Sequence, residues 1–457
     1  MPKFESKICS FITAIAVLFF VLPTSIANAQ TNTLSDAILK TNRATSMQSN
    51  GKLNLTLKAE GLSEQDQQDF GWVSEILNNL QVAYNTKVSG NSNGTISRHY
   101  AKISANVGGS PYSGELWSDI NLTGKTPIVK GIVKSPQLFE MMLGSEYMNK
   151  YMLLDFEQIK KTPEIQTELG KMDFGKMISE NKELQNTILT IFEKYSSQLD
   201  LNYSLISNKE NEYKIKIDDS EFKDIIKKAV NLTAKNKEIQ NLISNLIITE
   251  MKNSGANAQE ISATKVDMNQ MFTTLESKEF LNEFNKMMDK LKDVNILGNK
   301  GIDITYKIDK NGYITSTKGV IEIVANMNKL GKIFGESVTE GIPTGIYTAG
   351  INFEVNNSNI NGKVNIVMPK LTSSNSFNIA NLLNGTNPQP IKVITSAIKN
   401  GSVLKTSEKV VKPVVVKHTL RGGQLPKTSS NLYDLLLIGV VLTLIGALGL
   451  KNRKKYE

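Results

Sequence analysis

The stretch Lys52–Glu60 constrains the fold of this chain more than any other feature of its sequence. Leu53, Leu55, Leu57 and Ala59 alternate with polar residues along it. Successive side chains of a strand point to opposite faces, so the pattern predicts a strand with one buried face and one face in water. Such a strand needs neighbouring strands and a further layer that covers its apolar face.

The alternation continues beyond this stretch and predicts a long antiparallel sheet. Glycine-containing turns separate four strands of a meander, which we expect near 81–90, 95–107, 113–122 and 127–134. Further strands are expected at Tyr151–Phe156, 201–206, 212–218, 301–309, 313–326, 345–356 and 361–368. Asn311-Gly312 and Asn361-Gly362 are typical hairpin turns between the later strands.

Apolar residues three and four positions apart predict the helices that cover this sheet. Three are expected in the first part of the chain, at Leu34–Ser46, Ser63–Leu80 and Gln137–Lys150. The middle, about 164–296, is predicted to be mainly helical. We therefore expect residues 30–385 to form one α+β domain, an antiparallel meander sheet packed on helices. Two domains are the alternative, because about 350 residues exceed the usual size of a single core.

The order of helix, strand, helix and meander resembles the LolA/LppX lipid-carrier fold. The likeness covers roughly 33–385, and the long helical middle departs from it. The segments that carry it are Asp36-Ala37-Ile38-Leu39, Tyr213-Lys214-Ile215-Lys216-Ile217 with Glu221-Phe222-Lys223-Asp224, and a Gly345–Pro369 hairpin. The resemblance implies an incomplete barrel that wraps around helices and encloses a hydrophobic cavity.

The start of the chain predicts a secretory signal peptide over residues 1–29. Phe11–Leu22 is uncharged and too short to cross a bilayer. Ala27 and Ala29 supply the small residues of a cleavage site, so the mature chain is expected to begin at Gln30. The alternative is an uncleaved anchor. Cys9, the single cysteine, precedes the cut, and an exported chain without cysteine is typical of Gram-positive bacteria.

The C-terminal segment resembles the sortase sorting signal, Leu-Pro-x-Thr-Gly, of Gram-positive surface proteins. Its parts are Leu425, Pro426, Lys427, Thr428 and Ser429, an apolar helix over 432–450, and the basic tail 451–457. The apolar run Leu435–Leu450 is about 24 Å long as a helix, enough to cross a slightly thinned bilayer. The resemblance implies that sortase cleaves after Thr428 and links the chain to peptidoglycan. Ser429 replaces the usual glycine, so an uncleaved membrane anchor is the alternative.

The formal net charge of +9 comes largely from a basic stem, 386–424, that we expect to be extended. It leaves the remaining ectodomain near neutrality. Nucleic-acid binding needs a clustered basic patch on a fold, so we expect no nucleic-acid partner. The stem lysines suit anionic wall polymers and lipid headgroups, although a plain spacer explains them equally well.

The sequence gives little support for an enzyme. His99 and His418 are the only histidines, and cysteine is limited to Cys9. We therefore expect no catalytic residue, metal or cofactor, and a structural or surface role for His99. Three short segments resemble functional motifs but have simpler structural explanations. Gly124-Lys125-Thr126 resembles the end of a phosphate loop and is expected to be a turn, and Asp309-Lys310-Asn311-Gly312 resembles a calcium loop and is expected to be a hairpin turn. Asp218-Asp219-Ser220-Glu221 resembles a pair of catalytic acids and is expected to cap a helix.

Methionine is the one enrichment that points to binding, because its flexible thioether suits adaptable apolar surfaces. The candidate cavity residues are Met141, Met142, Met287 and Met288. An ordinary core is the alternative interpretation. Two functions follow for this displayed, non-enzymatic protein: it carries or senses a lipid or other apolar ligand, or it is an adhesin or structural surface protein.

Overall fold

The long first strand, β1 (Ser46–Glu60), shows the alternation that its sequence predicts. In the computed structural model of the chain, Leu53 is buried while Lys52 and Asn54 on either side are exposed. Odd-numbered residues from Met47 onward thus face the core. The structure describes residues 29–92, 95–107, 109–123, 128–159, 206–209, 211–253, 256–334 and 343–383.

Eleven further strands join β1 in one sheet. They are β2 (Gln81–Gly90), β3 (Ile96–Val107), β4 (Ser110–Asn121), β5 (Ile128–Lys134), β6 (Tyr151–Asp155), β7 (Ile206–Lys209), β8 (Glu212–Ile217), β9 (Leu297–Ile308), β10 (Ile314–Asn326), β11 (Ile346–Ser358) and β12 (Ser376–Asn378).

The order of strands across the sheet is β12-β6-β5-β4-β3-β2-β1-β11-β10-β9-β8-β7. Every neighbouring pair is antiparallel except β12 and β6, which are parallel. The terminal strands β12 and β7 do not pair with each other, so the sheet is open. The predicted α+β class, with a large sheet packed on helices, is confirmed; the sheet is mixed because β12 and β6 are parallel.

The helices lie between the strands in the chain. They are α1 (Ala29–Asn42), α2 (Glu64–Asn78), α3 (Pro136–Leu143), α4 (Phe156–Ile159), α5 (Asp219–Lys235), α6 (Lys237–Asn253), α7 (Ala258–Glu276), α8 (Lys278–Lys290), α9 (Met327–Phe334) and α10 (Ile379–Leu383). Residues of α5 to α8, such as Phe222, Phe272 and Phe284, form the largest core cluster together with Ile215 of β8 and Ile302 of β9. These four helices therefore cover one end of the sheet.

Two predicted helices end several residues earlier than expected. The first ends at Asn42 instead of Ser46, because Ser46 already pairs with Ser89 as the first residue of β1. The third ends at Leu143 instead of Lys150. Its next residue, Gly144, has a φ of +112°, which takes the backbone out of the helical region.

The predicted strand at 361–368 is wrong, and so is the Gly345–Pro369 hairpin. β11 pairs with β1 and β10 instead. Asn359 and Asn361 have positive φ and turn the chain away from β11. The segment that follows, 363–371, forms no strand but places Ile366 against Trp117 and Ile132 on the other side of the sheet. We call this segment the strap.

The described residues contain no helix that is long and apolar enough to cross a membrane. The sequence that was expected to do so, 432–450, lies outside them, as do the stem and the sorting motif. Of the predicted signal peptide, only Ala29 is described; it is the first residue of α1 and Gln30 follows it.

Candidate functional site

One face of the sheet, which we call the inner face, is apolar over most of its width. Cross-strand register aligns eight uncharged residues on it, from β8 through β9, β10, β11, β1, β2 and β3 to β4. They are Ile215, Ile304, Gly319, Phe353, Leu53, Val82, Ala105 and Tyr112. Directly opposed side chains of this kind lie about 5 Å apart, so the row forms a continuous apolar floor.

The outer face of the same strands is polar at the next register row, although the strap covers an apolar cluster around Trp117 elsewhere on this face. The next register row along the same eight strands is charged or polar except for one alanine; its residues are Lys214, Thr305, Lys318, Glu354, Lys52, Ala83, Ser104 and Ser113. Lys214 Nζ lies 2.9 Å from the Asp303 carboxylate on this face. The contrast between the two faces makes the inner face the candidate site for an apolar ligand.

The centre of the inner face is incompletely covered near the ends of β10, β11 and β1. Ile323 is 48% exposed and Ile351 is 38% exposed, although both point to the same side as the core. Their neighbours are partly or fully accessible as well. We define the open strip as Ile321, Ile323, Ala349, Ile351, Leu55 and Leu57.

Two groups of helices border the open strip. On the β1 side, α2 contacts the sheet through Phe70, whose ring meets that of Tyr347 edge-on at 5.6 Å. On the β9 side, Ile321 of β10 and Leu330 of α9 pack against the core that α5 to α8 form. No residue of α2 is buried, and Trp72 of this helix is 53% exposed. Helix α2, which borders the strip on the β1 side, is therefore held to the sheet by few buried contacts.

The four candidate methionines occupy two separate places. Met141 and Met142 belong to α3, near the β6 end of the sheet. Met287 and Met288 belong to α8, where Met288 is buried in the phenylalanine-rich core and Met287 packs against it partly buried. The accessible floor consists instead of isoleucine, leucine and aromatic side chains from β9, β10, β11 and β1.

The described residues were expected to contain no metal-binding cluster, and His99 was expected to be structural or at the surface. Within those ranges, no three His, Cys, Asp or Glu side chains converge on one point. His99 lies on β3 opposite Val88. The Gly124-Lys125-Thr126 segment lies outside the described residues.

The two acidic segments have the structural roles that their sequences predict. Asp218 and Glu221 form a capping box at the start of α5, with the Glu221 amide donating to Asp218 Oδ1 at 2.9 Å. Asp309 accepts hydrogen bonds from the amides of Asn311 and Tyr313, both at 2.9 Å, and so closes the β9–β10 hairpin.

A shallow polar depression of about 300 Å³ lies where α1 meets this hairpin. Its lining residues are Asp36, Leu39, Lys40, Arg43, Tyr313 and Asn361. Lys40 Nζ donates to the Asn311 carbonyl oxygen at 2.5 Å and lies 4.6 Å from the Tyr313 ring centroid. Asn361 Nδ2 donates to the Tyr313 hydroxyl at 2.9 Å. These contacts connect the helix to the hairpin and identify a structural junction.

The sequence did not identify Ile323 and Ile351 as site residues, because their exposure depends on which strands become neighbours. Comparison of the chain with protein family models, with curated proteins and with solved structures gave no match.

Proposed function

We propose that this protein binds the acyl chain of a lipid on the open strip and that its role is non-enzymatic. The observation that carries the proposal is the exposure of Ile323 and Ile351 on the face that is otherwise the core side of the sheet. An exposed apolar patch bordered by polar surface is typical of a ligand or partner site.

The energetics favour an apolar occupant. Full burial of an isoleucine stabilises by about 1.5–3 kcal/mol, so covering two half-exposed isoleucines contributes roughly 1 kcal/mol each. Leu55, Leu57 and Ile321, each partly accessible, extend the gain along the strip. A flexible acyl chain fits this elongated apolar floor, which offers it no charged partner.

The fold and the two terminal segments of the chain also support this proposal. An open meander sheet with helices on one face supports a LolA/LppX-like architecture, in which the inner face holds the ligand. The signal-like residues 1–29 and the sorting-like residues 425–429 support export and attachment to peptidoglycan by sortase, on the outside of a Gram-positive cell. The lipid is then bound at the cell envelope.

The proposal is tested by measuring the lipid that purifies with the full-length chain. Ile323→Asp places a charge in the strip and is expected to remove most of the bound acyl lipid, because an isolated carboxylate disfavours an apolar neighbour. Val266→Asp is the matched control, because Val266 of α7 is 64% exposed and lies away from the strip.

Lipid extracted per mole of protein is compared by mass spectrometry for the wild type and both variants, with thermal unfolding as a check on folding. Equal lipid in all three proteins would exclude the strip as the binding site. The adhesin or structural surface protein would then be the better explanation.

A further inference from the structure

Three adjacent strands, β8, β9 and β10, each place a hydroxyl-bearing side chain on the inner face at one level of the sheet. Tyr213 of β8 pairs with Tyr306 of β9, and Tyr306 pairs with Thr317 of β10. We call these three residues the hydroxyl row. Both tyrosines pack against the core of α5 to α8 and all three side chains are partly accessible. The row therefore lies beneath the helices without being fully enclosed by them.

The hydroxyl row has no partner among the described residues. The hydroxyls of Tyr213, Tyr306 and Thr317 make no hydrogen bond within that part of the chain. Burial raises the pKa of the Tyr306 hydroxyl to about 12, so this group stays protonated and remains a donor. Hydroxyls that contact no protein acceptor and remain partly accessible can donate hydrogen bonds to water or to a ligand.

The hydroxyl row and the open strip lie on one continuous floor. Along β10, the inner-face residues from the strip inward are Ile323, Ile321, Gly319 and Thr317. Six residues of strand separate Ile323 from Thr317, which corresponds to about 20 Å. Ile321, Gly319 and Thr317 are all partly accessible. An extended acyl chain of about this length, with its methyl end on the strip, would place its carbonyl at the hydroxyl row.

The charges around the row indicate what kind of polar group it accepts. Each residue of the hydroxyl row is followed in the sequence by a lysine. These lysines are Lys214, Lys307 and Lys318, and their pairing partners on the next strand lie on the outer face. Their side chains point away from the ligand side of the sheet. Within the described parts of β8, β9 and β10, the inner face at this level therefore presents hydroxyl donors and no lysine, and burying an anion there is costly.

We infer that the hydroxyl row is the polar recognition site of the inner face and that it binds a neutral carbonyl, as in an acyl ester or amide. This inference rests on the proposed lipid-binding function and adds the class of lipid. Tyr306 is the central donor because it pairs with both other members of the row. An ionised fatty acid, which carries a carboxylate, is disfavoured by the same geometry.

The test uses two photoreactive probes on the full-length chain in lipid nanodiscs. One probe is the methyl ester of a diazirine-bearing palmitate, and the other is the free acid at about pH 9, where its carboxyl is ionised. We expect the ester to label peptides of β9 and β10 and the free acid to label them weakly. Tyr306→Phe is expected to reduce ester labelling about tenfold, because one hydrogen bond to the carbonyl is lost.

Two further measurements separate recognition from folding. Tyr306→Phe removes a hydroxyl without a partner, so its resistance to unfolding is expected to equal or exceed that of the wild type. Tyr313→Phe is the control: it loses the hydrogen bond from Asn361 Nδ2 and some stability, yet keeps full ester labelling.

The outcomes distinguish this inference from the function on which it rests. Equal ester labelling of the wild type and Tyr306→Phe would overturn the role of the hydroxyl row while leaving the open strip as an acyl site. Equal labelling by ester and free acid would overturn the preference for a neutral carbonyl. Absence of labelling of β9 and β10 by both probes would overturn the inference and the lipid-binding proposal together.

Discussion

The ring of Phe353 on β11 reaches over Gly319 on β10, in the centre of the inner face. A Cβ atom at residue 319 would lie 3.0 Å from Cζ of Phe353 and 2.7 Å from the backbone oxygen of Asp303. Contacts this short do not occur without movement of the neighbours. The glycine thus allows an aromatic side chain to approach the backbone of β10 closely, between the open strip and the hydroxyl row.

Gly319→Ala is therefore expected to destabilise the protein by about 1–3 kcal/mol, the usual cost of overfilling a packed core. Gly114→Ala is the matched control on the same face, because its Cβ would meet only ordinary contacts of 3.7–3.9 Å. That change is expected to stabilise by about 0.5 kcal/mol through the unfolded chain. Denaturant unfolding measures both, and a Gly319→Ala protein as stable as the control would contradict the packing.

The positions of the strands can be predicted from the local sequence, whereas the pairing of one strand with another cannot. Alternation along Leu53, Leu55 and Leu57 shows directly which side of β1 is buried. It says nothing about β11, which pairs with β1 from about 300 residues away along the chain. The strap illustrates the same limit. Val364, Ile366 and Met368 alternate like a strand, but they satisfy that pattern by packing on Trp117 instead of by strand pairing.

The candidate site was harder to find from the sequence than the strands. Methionine enrichment directed attention to Met288, which the structure places in the core. The hydroxyl row joins Tyr213, Tyr306 and Thr317, whose spacing in the chain is long and irregular. Only the register of three neighbouring strands brings them together, so no local pattern indicates the row.

Asp219 connects the first turn of α5 to the start of β9. Its carboxylate accepts hydrogen bonds from the amides of Ile296 at 2.6 Å and Leu297 at 2.8 Å, and it pairs with Lys223 at 2.5 Å. Desolvation opposes its ionisation, but the hydrogen bonds from Lys223 and the two amides outweigh this effect and lower the pKa of Asp219.

Because the folded-state pKa of Asp219 is lowered, its contribution to stability is present above an ordinary carboxyl pKa of about 4 and is lost as pH falls through the lowered value. Asp219→Asn should reduce stability at neutral pH and weaken this acid-dependent loss. Asp224→Asn is the control, since its pair with Lys228 is more exposed and worth less than about 1 kcal/mol. The test is to measure the free energy of unfolding of each protein from neutral to acidic pH. If the wild type and Asp219→Asn lose stability in parallel as the pH falls, the prediction is contradicted.

The strap is expected to contribute stability through one buried side chain. Ile366 is buried against Trp117, whereas Val367 beside it is 73% exposed. Ile366→Ala should cost about 2–4 kcal/mol, while Val367→Ala should change stability by less than about 0.5 kcal/mol. In a Trp72→Phe background Trp117 is the only tryptophan, so its emission should shift to the red in Ile366→Ala alone. An unchanged emission spectrum would show that the strap does not cover this ring.

The final prediction concerns the sorting-like motif around Thr428. If sortase transfers the Thr428 carbonyl to a wall amine, muramidase digestion should release the protein with peptidoglycan fragments attached. Ser429 adds a Cβ at the bond to be cleaved, so Ser429→Gly is expected to raise the wall-linked fraction. Thr428→Ala, which changes the residue whose carbonyl is transferred, should abolish it. Extraction of the wild-type chain by detergent alone, with Glu457 intact, would identify a membrane anchor. An increase in wall linkage with Ser429→Gly would then show that the added Cβ prevents cleavage, because this variant restores the glycine of the family pattern at an otherwise unchanged motif.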